Sequence, residues 1–460
     1  MKRNLIRILG LFLLFTTIQS CKKEDSASID LTKYVDNPVA NAALDNWLKA
    51  TFLDPYNMDV IYRYSDFYKD NDKVVSPVNP ANVQPQMQTV LEGFIDPYKK
   101  VAGIPFIKKM LPKEWVLYGS GAYQTDGSMI LATASAGKRV TIYDLNNFDA
   151  NNADGVTRKL RTIHHEFTHI LNQLVAMPTD FQTITKSTYA ATWTTVSDAT
   201  ARDNGYVSPY ASSQPGEDFA ETTAHLLVLG QAWFDARANA STTVGKAALK
   251  AKEASVVQYF TINLGVDFRA LQREVQNVVR NTYKLPSASF PYWIGQGLFK
   301  NITIDLSKPV YASSGISTNF SAAYQASVTA VAAVGNANRK LNYIRLDFIS
   351  TTAANLYLNY TNTAGSTFDA LYALNMTFNS TTGATKFTAG TPRDTTTPWT
   401  NATVIQAGAQ PLINYLTGSN FIADWMPANI STDNYNSYAG FYVSGTPSNY
   451  FYGLLGQTAL

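Results

Sequence analysis

The stretch His164-His165-Glu166-Phe167-Thr168-His169 holds three of the four histidines of this 460-residue chain. His165 and His169 stand four apart with Glu166 directly after the first, the HExxH spacing. On a helix, residues i and i+4 lie one turn apart on the same side. Two imidazoles so placed reach one metal ion, and the carboxylate between them addresses a water that the ion activates. At about 100° per residue, Leu160, Ile163, Phe167, Ile170, Leu171 and Leu174 gather into one apolar stripe, with His165 and His169 opposite. The pattern predicts a helix that packs by one face and holds metal on the other. An ordinary amphipathic helix has no need of three such scarce residues in six positions.

Catalytic zinc takes three protein ligands and keeps a fourth position open. After His169 the chain reads Ile170-Leu171-Asn172-Gln173-Leu174-Val175, without the glycine or third histidine of the metzincin continuation. Downstream, Gly216-Glu217-Asp218-Phe219-Ala220-Glu221 places two carboxylates one turn apart in a helix opened by Pro215 and Gly216. Phe219, Thr223, Leu226, Leu227 and Trp233 would form its packing face. Glu217 is the expected third ligand. Glu221 is expected to orient a ligating histidine by accepting its other ring proton. His164 lies well round the helix and is expected in the core or behind the ligands rather than on the metal. His225, one turn past Glu221, either joins the hydrogen-bonded group behind the ligands or serves structure alone.

HEFTH followed some fifty residues later by EDFAE resembles the gluzincin metallopeptidases. More narrowly, it resembles a family of zinc-binding metallopeptidases among Bacteroidetes lipoproteins, and is similar to the catalytic domain of anthrax lethal factor. The resemblance covers about residues 40–290. It implies a zincin-like α+β domain with one Zn2+ per chain, a peptide or protein substrate, and a tyrosine seven residues before the glutamate ligand that stabilises the oxyanion. That position is Tyr210; Tyr206 is close enough to compete for the role. In such peptidases an edge strand before the active-site helix pairs with the substrate backbone. Of the β-rich runs at 115–118, 128–132 and 139–143, one of the last two would supply it.

Residues 1–20 carry Lys2, Arg3 and Arg7, then the apolar run 8–15, then small or polar residues up to Cys21, the only cysteine. This is a secretory signal too short to span a membrane. Cys21 falls where a lipoprotein carries its lipid, although Gln19 departs from the strict lipobox. Lys22-Lys23-Glu24-Asp25 resembles the charged tether of surface-exposed lipoproteins of that group. The expectation is an exported outer-membrane lipoprotein, anchored through Cys21, with a tether over 21–39. A lone cysteine excludes disulfides and thiol catalysis in the mature body. Net charge is +3, from 37 basic and 34 acidic residues without long runs of either sign, so no nucleic-acid footprint is present.

Helices are expected over 41–51, 83–100, 244–260 and 268–283, and a strand over 58–64. A loop-rich stretch at 177–210 would rim the cleft. After 40–297 the composition changes: the last glutamate is Glu274 and the last histidine His225. Alternating runs at 341–348, 355–360, 372–378 and 441–444 read as an all-β accessory domain over 298–460, a sandwich. Its Tyr and Trp residues either fill its core or stack on a glycan; a protein ligand is the other possible partner. With no GxMEN-type pattern for a free amino terminus, the expected activity is endopeptidase. The alternative is a ligand-binding surface lipoprotein whose zincin domain is degenerate.

Overall fold

The computed structural model describes residues 41–125, 127–135, 137–426 and 436–457. The expected signal peptide, Cys21 and the expected tether lie outside the described residues. The chain divides into two compact units between Ala50 and Thr51. In the first, α1 (Ala42–Leu48) forms where its apolar spacing predicts, and the Asn41 side chain caps it by accepting from the Leu44 N–H at 3.3 Å.

After helical turns that end at Tyr56, the second unit continues with β1 (Asp59–Ile61), α2 (Pro80–Val90), a π turn (Leu91–Ile95) and α3 (Asp96–Met110). The helix expected over 83–100 is therefore two helices joined through that turn. Next come β2 (Glu114–Leu117), β3 (Ala122–Tyr123), β4 (Met129–Ile130), β5 (Ala132–Ser135) and β6 (Arg139–Ile142). One sheet has the order β1-β2-β6-β5, with β1, β2 and β6 parallel and β5 antiparallel at its edge; β3 and β4 pair separately. The 139–143 run is thus interior and offers no open edge. The edge starts at Ala132, where the 128–132 run ends.

Behind the sheet lies α4 (Ala153–Leu174), begun by Asn152, whose side chain accepts from the Gly155 N–H at 3.0 Å. Its apolar stripe is buried from Leu160 to Leu171, but Leu174 is 58% exposed because the last turn runs past the core. The π turn seats this helix. Phe94 meets Phe167 edge-on at 4.9 Å, and a Cβ on Gly93 would stand 2.5 Å from Leu160 Cδ2, so only glycine admits so close an approach.

Residues 177–212 fold into short turns, including α5 (Phe181–Ile184) and α6 (Asp198–Asp203), rather than a long open loop. Then follow α7 (Pro215–Val228), α8 (Gly230–Asn239), α9 (Thr243–Gln258), α10 (Phe268–Asn281) and α11 (Phe290–Gly295). Gly230, at φ 84, breaks the chain direction after α7. Trp233 therefore belongs to α8, not to the packing face of α7. A fully buried ion pair, Lys252 to Asp218 at 2.7 Å, joins α9 to α7. Tyr189 donates to the same carboxylate at 2.8 Å, and the Lys252 ammonium lies 3.9 Å from the Tyr206 ring centre. The turns are fastened to the helices through these groups.

The remainder comprises β7 (Asn301–Ile304), α12 (Pro309–Ser314), α13 (Thr318–Ala333), β8 (Lys340–Ser350), β9 (Ala353–Thr361), β10 (Thr367–Phe378), β11 (Ala384–Ala389), α14 (Thr397–Val404), α15 (Gln406–Gly418), β12 (Asn420–Trp425), β13 (Tyr438–Val443) and β14 (Thr446–Gly456). The strands close into one antiparallel barrel, β10-β11-β12-β13-β14-β7-β8-β9. This corrects two expectations: the region is a barrel and not a sandwich, and it is not all-β. Alternating runs specify strands with one buried face, which both architectures share; the pairing of β14 with β7 decides between them. The missed helices are rich in Ala, Ser, Thr and Asn, and in α13 Phe320, Tyr324 and Val331 recur at helical spacing to face the interior. There Phe320 stacks on Phe451 at 5.2 Å and Phe451 on Phe441 at 5.3 Å. Barrel and helical half share one compact unit. The Trp425 indole donates to the Ala288 carbonyl at 2.9 Å, and Gln457 bridges Asn239 and Asp235.

Candidate active site

Helices α4 and α7 face each other and deliver all three expected ligands to one point. His165 Nε2 lies 3.0 Å from Glu217 Oε2, His169 Nε2 lies 3.2 Å from the same oxygen, and the two Nε2 atoms are 3.0 Å apart. Ligands arranged tetrahedrally around zinc at 2.0–2.1 Å would be separated by about 3.3 Å. Two neutral imidazoles with their lone pairs turned toward one carboxylate oxygen repel one another unless a cation lies among them. The donor set fits a divalent ion of the zinc type. Among the described residues, His165, His169 and Glu217 form the group able to hold a metal.

Glu221 stands behind His165 and accepts from Nδ1–H at 2.9 Å, which fixes the tautomer that leaves Nε2 bare. Its other oxygen accepts from the Ser208 hydroxyl at 2.6 Å. Burial opposes the Glu221 charge, but His225, His165 and Ser208 outweigh it and hold the carboxyl at about 2. His225 is tied into this group: Nδ1–H donates to the Glu221 carbonyl at 2.8 Å while Nε2 takes the Arg161 guanidinium at 2.8 Å. His164 is fully buried, and its Nε2–H donates to the Gly93 carbonyl in the π turn at 3.2 Å.

Glu166 is buried beside the cluster and takes a hydrogen bond from the backbone N–H of Ala134, in edge strand β5. Burial raises its proton affinity; His165 and His169 pull the other way. Tyr210 lies beside the cluster, its ring 5.9 Å from that of His165, its hydroxyl bonded to Glu217, and Trp193 packed edge-on at 4.9 Å. Burial and the neighbouring Glu217 keep the phenol protonated. Tyr206 is fully buried elsewhere, its hydroxyl 2.9 Å from Thr188 Oγ1 and 3.2 Å from the Thr185 carbonyl. Of the two tyrosines, Tyr210 is the one that reaches the cluster.

Ser208, Arg161 and Ala134 had no signal in the sequence. A serine two residues before a tyrosine is commonplace, and a backbone N–H carries no residue type at all.

Residues 37–269 match the model of a family described as "Putative zinc-binding metallo-peptidase". The chain belongs to that family. A structural relative, a putative zinc-binding metallo-peptidase from Bacteroides caccae, is 27% identical, covering 54% of this chain and 95% of its own with a TM-score of 0.46. No curated protein matches the chain. The family match spans every residue named at the cluster and ends before the barrel.

Proposed function

We propose that the protein is a zinc-dependent endopeptidase, exported and held at the outer-membrane surface through a lipid on Cys21. The observation that carries the catalytic reading is the convergence of His165, His169 and Glu217, with Glu166 and Tyr210 both beside them. Zn2+ bound there would supply a Lewis acid that polarises the scissile carbonyl and acidifies water. Glu166 takes the proton of the attacking water and passes it to the leaving amine. Burial favours its protonated form, which suits the second of these duties. Tyr210 donates its phenolic proton as a hydrogen bond to the oxygen on which negative charge develops. Glu221, with Ser208 behind it, holds His165 in the ligating tautomer. β5 is an edge of its sheet and meets the site where Ala134 reaches Glu166, which supports docking of substrate backbone as an added strand there.

The test is cleavage-site profiling of a complex peptide library with the wild-type chain, a Glu166→Gln variant and a chelated sample. Cuts that disappear in both controls establish the peptidase and its subsite preference. Cuts that persist in either control overturn it, and no cuts by a folded, zinc-loaded chain would leave a ligand-binding lipoprotein as the better reading.

A further inference from the structure

The barrel carries a second cluster on its outer wall, made of residues distinct from His165, His169 and Glu217. Ile302, Ile304, Ile344, Leu346, Leu356 and Leu358 fill the interior, so the alternating positions between them face outward. Register places Tyr438, Leu454, Thr303, Arg345 and Tyr357 side by side on five neighbouring strands. At about 4.8 Å per strand, the row runs about 19 Å with a tyrosine at each end.

The Tyr357 end is built rather than loose. The Arg345 guanidinium lies 3.9 Å from the Tyr357 ring centre and is clamped by both oxygens of Asp347, while the Tyr357 hydroxyl bonds Asp369. Asp369 also accepts from the Asn359 amide at 2.6 Å. Arg345 is only 4% exposed because the ring covers it, so the face that Tyr357 leaves to solvent is the one away from the cation. At the other end Tyr438, Leu454 and Thr303 floor a 420 Å³ recess walled by Asp305, Lys308 and Tyr311.

The geometry points to a binding site for a neutral glycan along this row, with Tyr357 and Tyr438 stacking on sugar rings. A flat ring fixed beneath and at its hydroxyl loses little freedom when a pyranose settles on it. Asp347 and Asp369 keep lone pairs for sugar hydroxyls, since a carboxylate offers about four acceptor sites. Three carboxylates, Asp305, Asp347 and Asp369, against Arg345 and Lys308 disfavour polyanions. The site's length suits several consecutive rings rather than one.

Affinity electrophoresis of the full chain through gels containing soluble β-glucan, xylan, galactomannan or dextran, with a polyuronate as the anionic comparison, tests this. At least one neutral polysaccharide should retard the wild type. Tyr357→Ala should weaken that retardation at least about tenfold, a loss of about 1.4 kcal/mol, with circular dichroism and any peptide hydrolysis unchanged. Tyr357→Phe should retain most of it. No retardation by any neutral polysaccharide, equal retardation of Tyr357→Ala, or preference for the polyuronate would each overturn the proposal.

Discussion

Ser208 and Glu221 are joined by a 2.6 Å hydrogen bond that reaches from the rim turns to the helix carrying the third ligand. Through it the rim acts on His165, because the other Glu221 oxygen is the one that takes the His165 Nδ1–H. Removing a group that orients a ligand this way costs about 10- to 100-fold in metal affinity or activity. Ser208→Ala should weaken zinc binding within that range, and Glu221→Gln more than Ser208→Ala. Competition titration against a chelator of known affinity reads both.

On the proposed reading Glu166 moves protons without holding metal. Glu166→Gln should keep stoichiometric zinc by metal analysis while hydrolysis falls on the order of 10² to 10⁴ fold. Undiminished hydrolysis would remove Glu166 from the reaction.

The two nearby tyrosines should separate cleanly. Tyr210→Phe should lower kcat on the order of 10² fold with little change in zinc content, as expected for one oxyanion donor. Tyr206→Phe should leave kcat close to wild type, because its hydroxyl serves Thr188 and Thr185. Equal kcat losses in both variants would contradict the assignment.

Acid should destabilise the fold before it protonates most carboxylates. Burial lowers both His164 and His225 to about 4, below the ordinary histidine value. The unfolded chain therefore binds protons at these sites that the folded chain refuses, and stability rises with pH between about 4 and 6.5. The contribution is present in full above 6.5 and is lost as pH falls toward 4, on the order of 3 kcal/mol for each histidine. Urea unfolding midpoints across that window should climb with pH, and His225→Gln should flatten the climb.

The π turn offers a packing test away from the chemistry. Gly93→Ala puts a methyl 2.5 Å from Leu160 Cδ2, and overpacking of this kind costs about 1–3 kcal/mol. Thermal melts of the metal-free chain should register it. An unchanged melting temperature would mean that α4 can shift away from the turn.

The cluster of His165, His169, Glu217 and Glu221 was legible because each residue type is scarce or charged and each pair sits at helical spacing. The helix bearing Glu217 was legible for the same reason, from Pro215 to its apolar face. What escaped depends on contacts between distant segments. The π turn at 91–95 reads as plain helix, and the break at Gly230 is held by the distant Gln276, whose amide donates to the Leu227 and Val228 carbonyls. The 128–132 run takes in a strand of one sheet and only the first residue of β5 in the other, so alternation alone left open whether it or 139–143 supplied the edge. In the barrel, Leu341 to Phe348 announced a strand correctly, but no local pattern states that residues 446–456 return to 301–304. The helices there carry almost no charge, and without a polar face their period is hard to see.

That return has a consequence for how the chain matures. β7 is held on one side by β14, whose residues are translated roughly 150 positions later. Closure of so long a loop is slow, and it cannot begin until the final strand has emerged. The 301–445 segment must therefore wait with an unpaired edge on both β7 and β13, exposed to wrong partners in the interval. A chain stopped near residue 445 should be lost to aggregation or proteolysis rather than accumulate as a slightly shorter barrel.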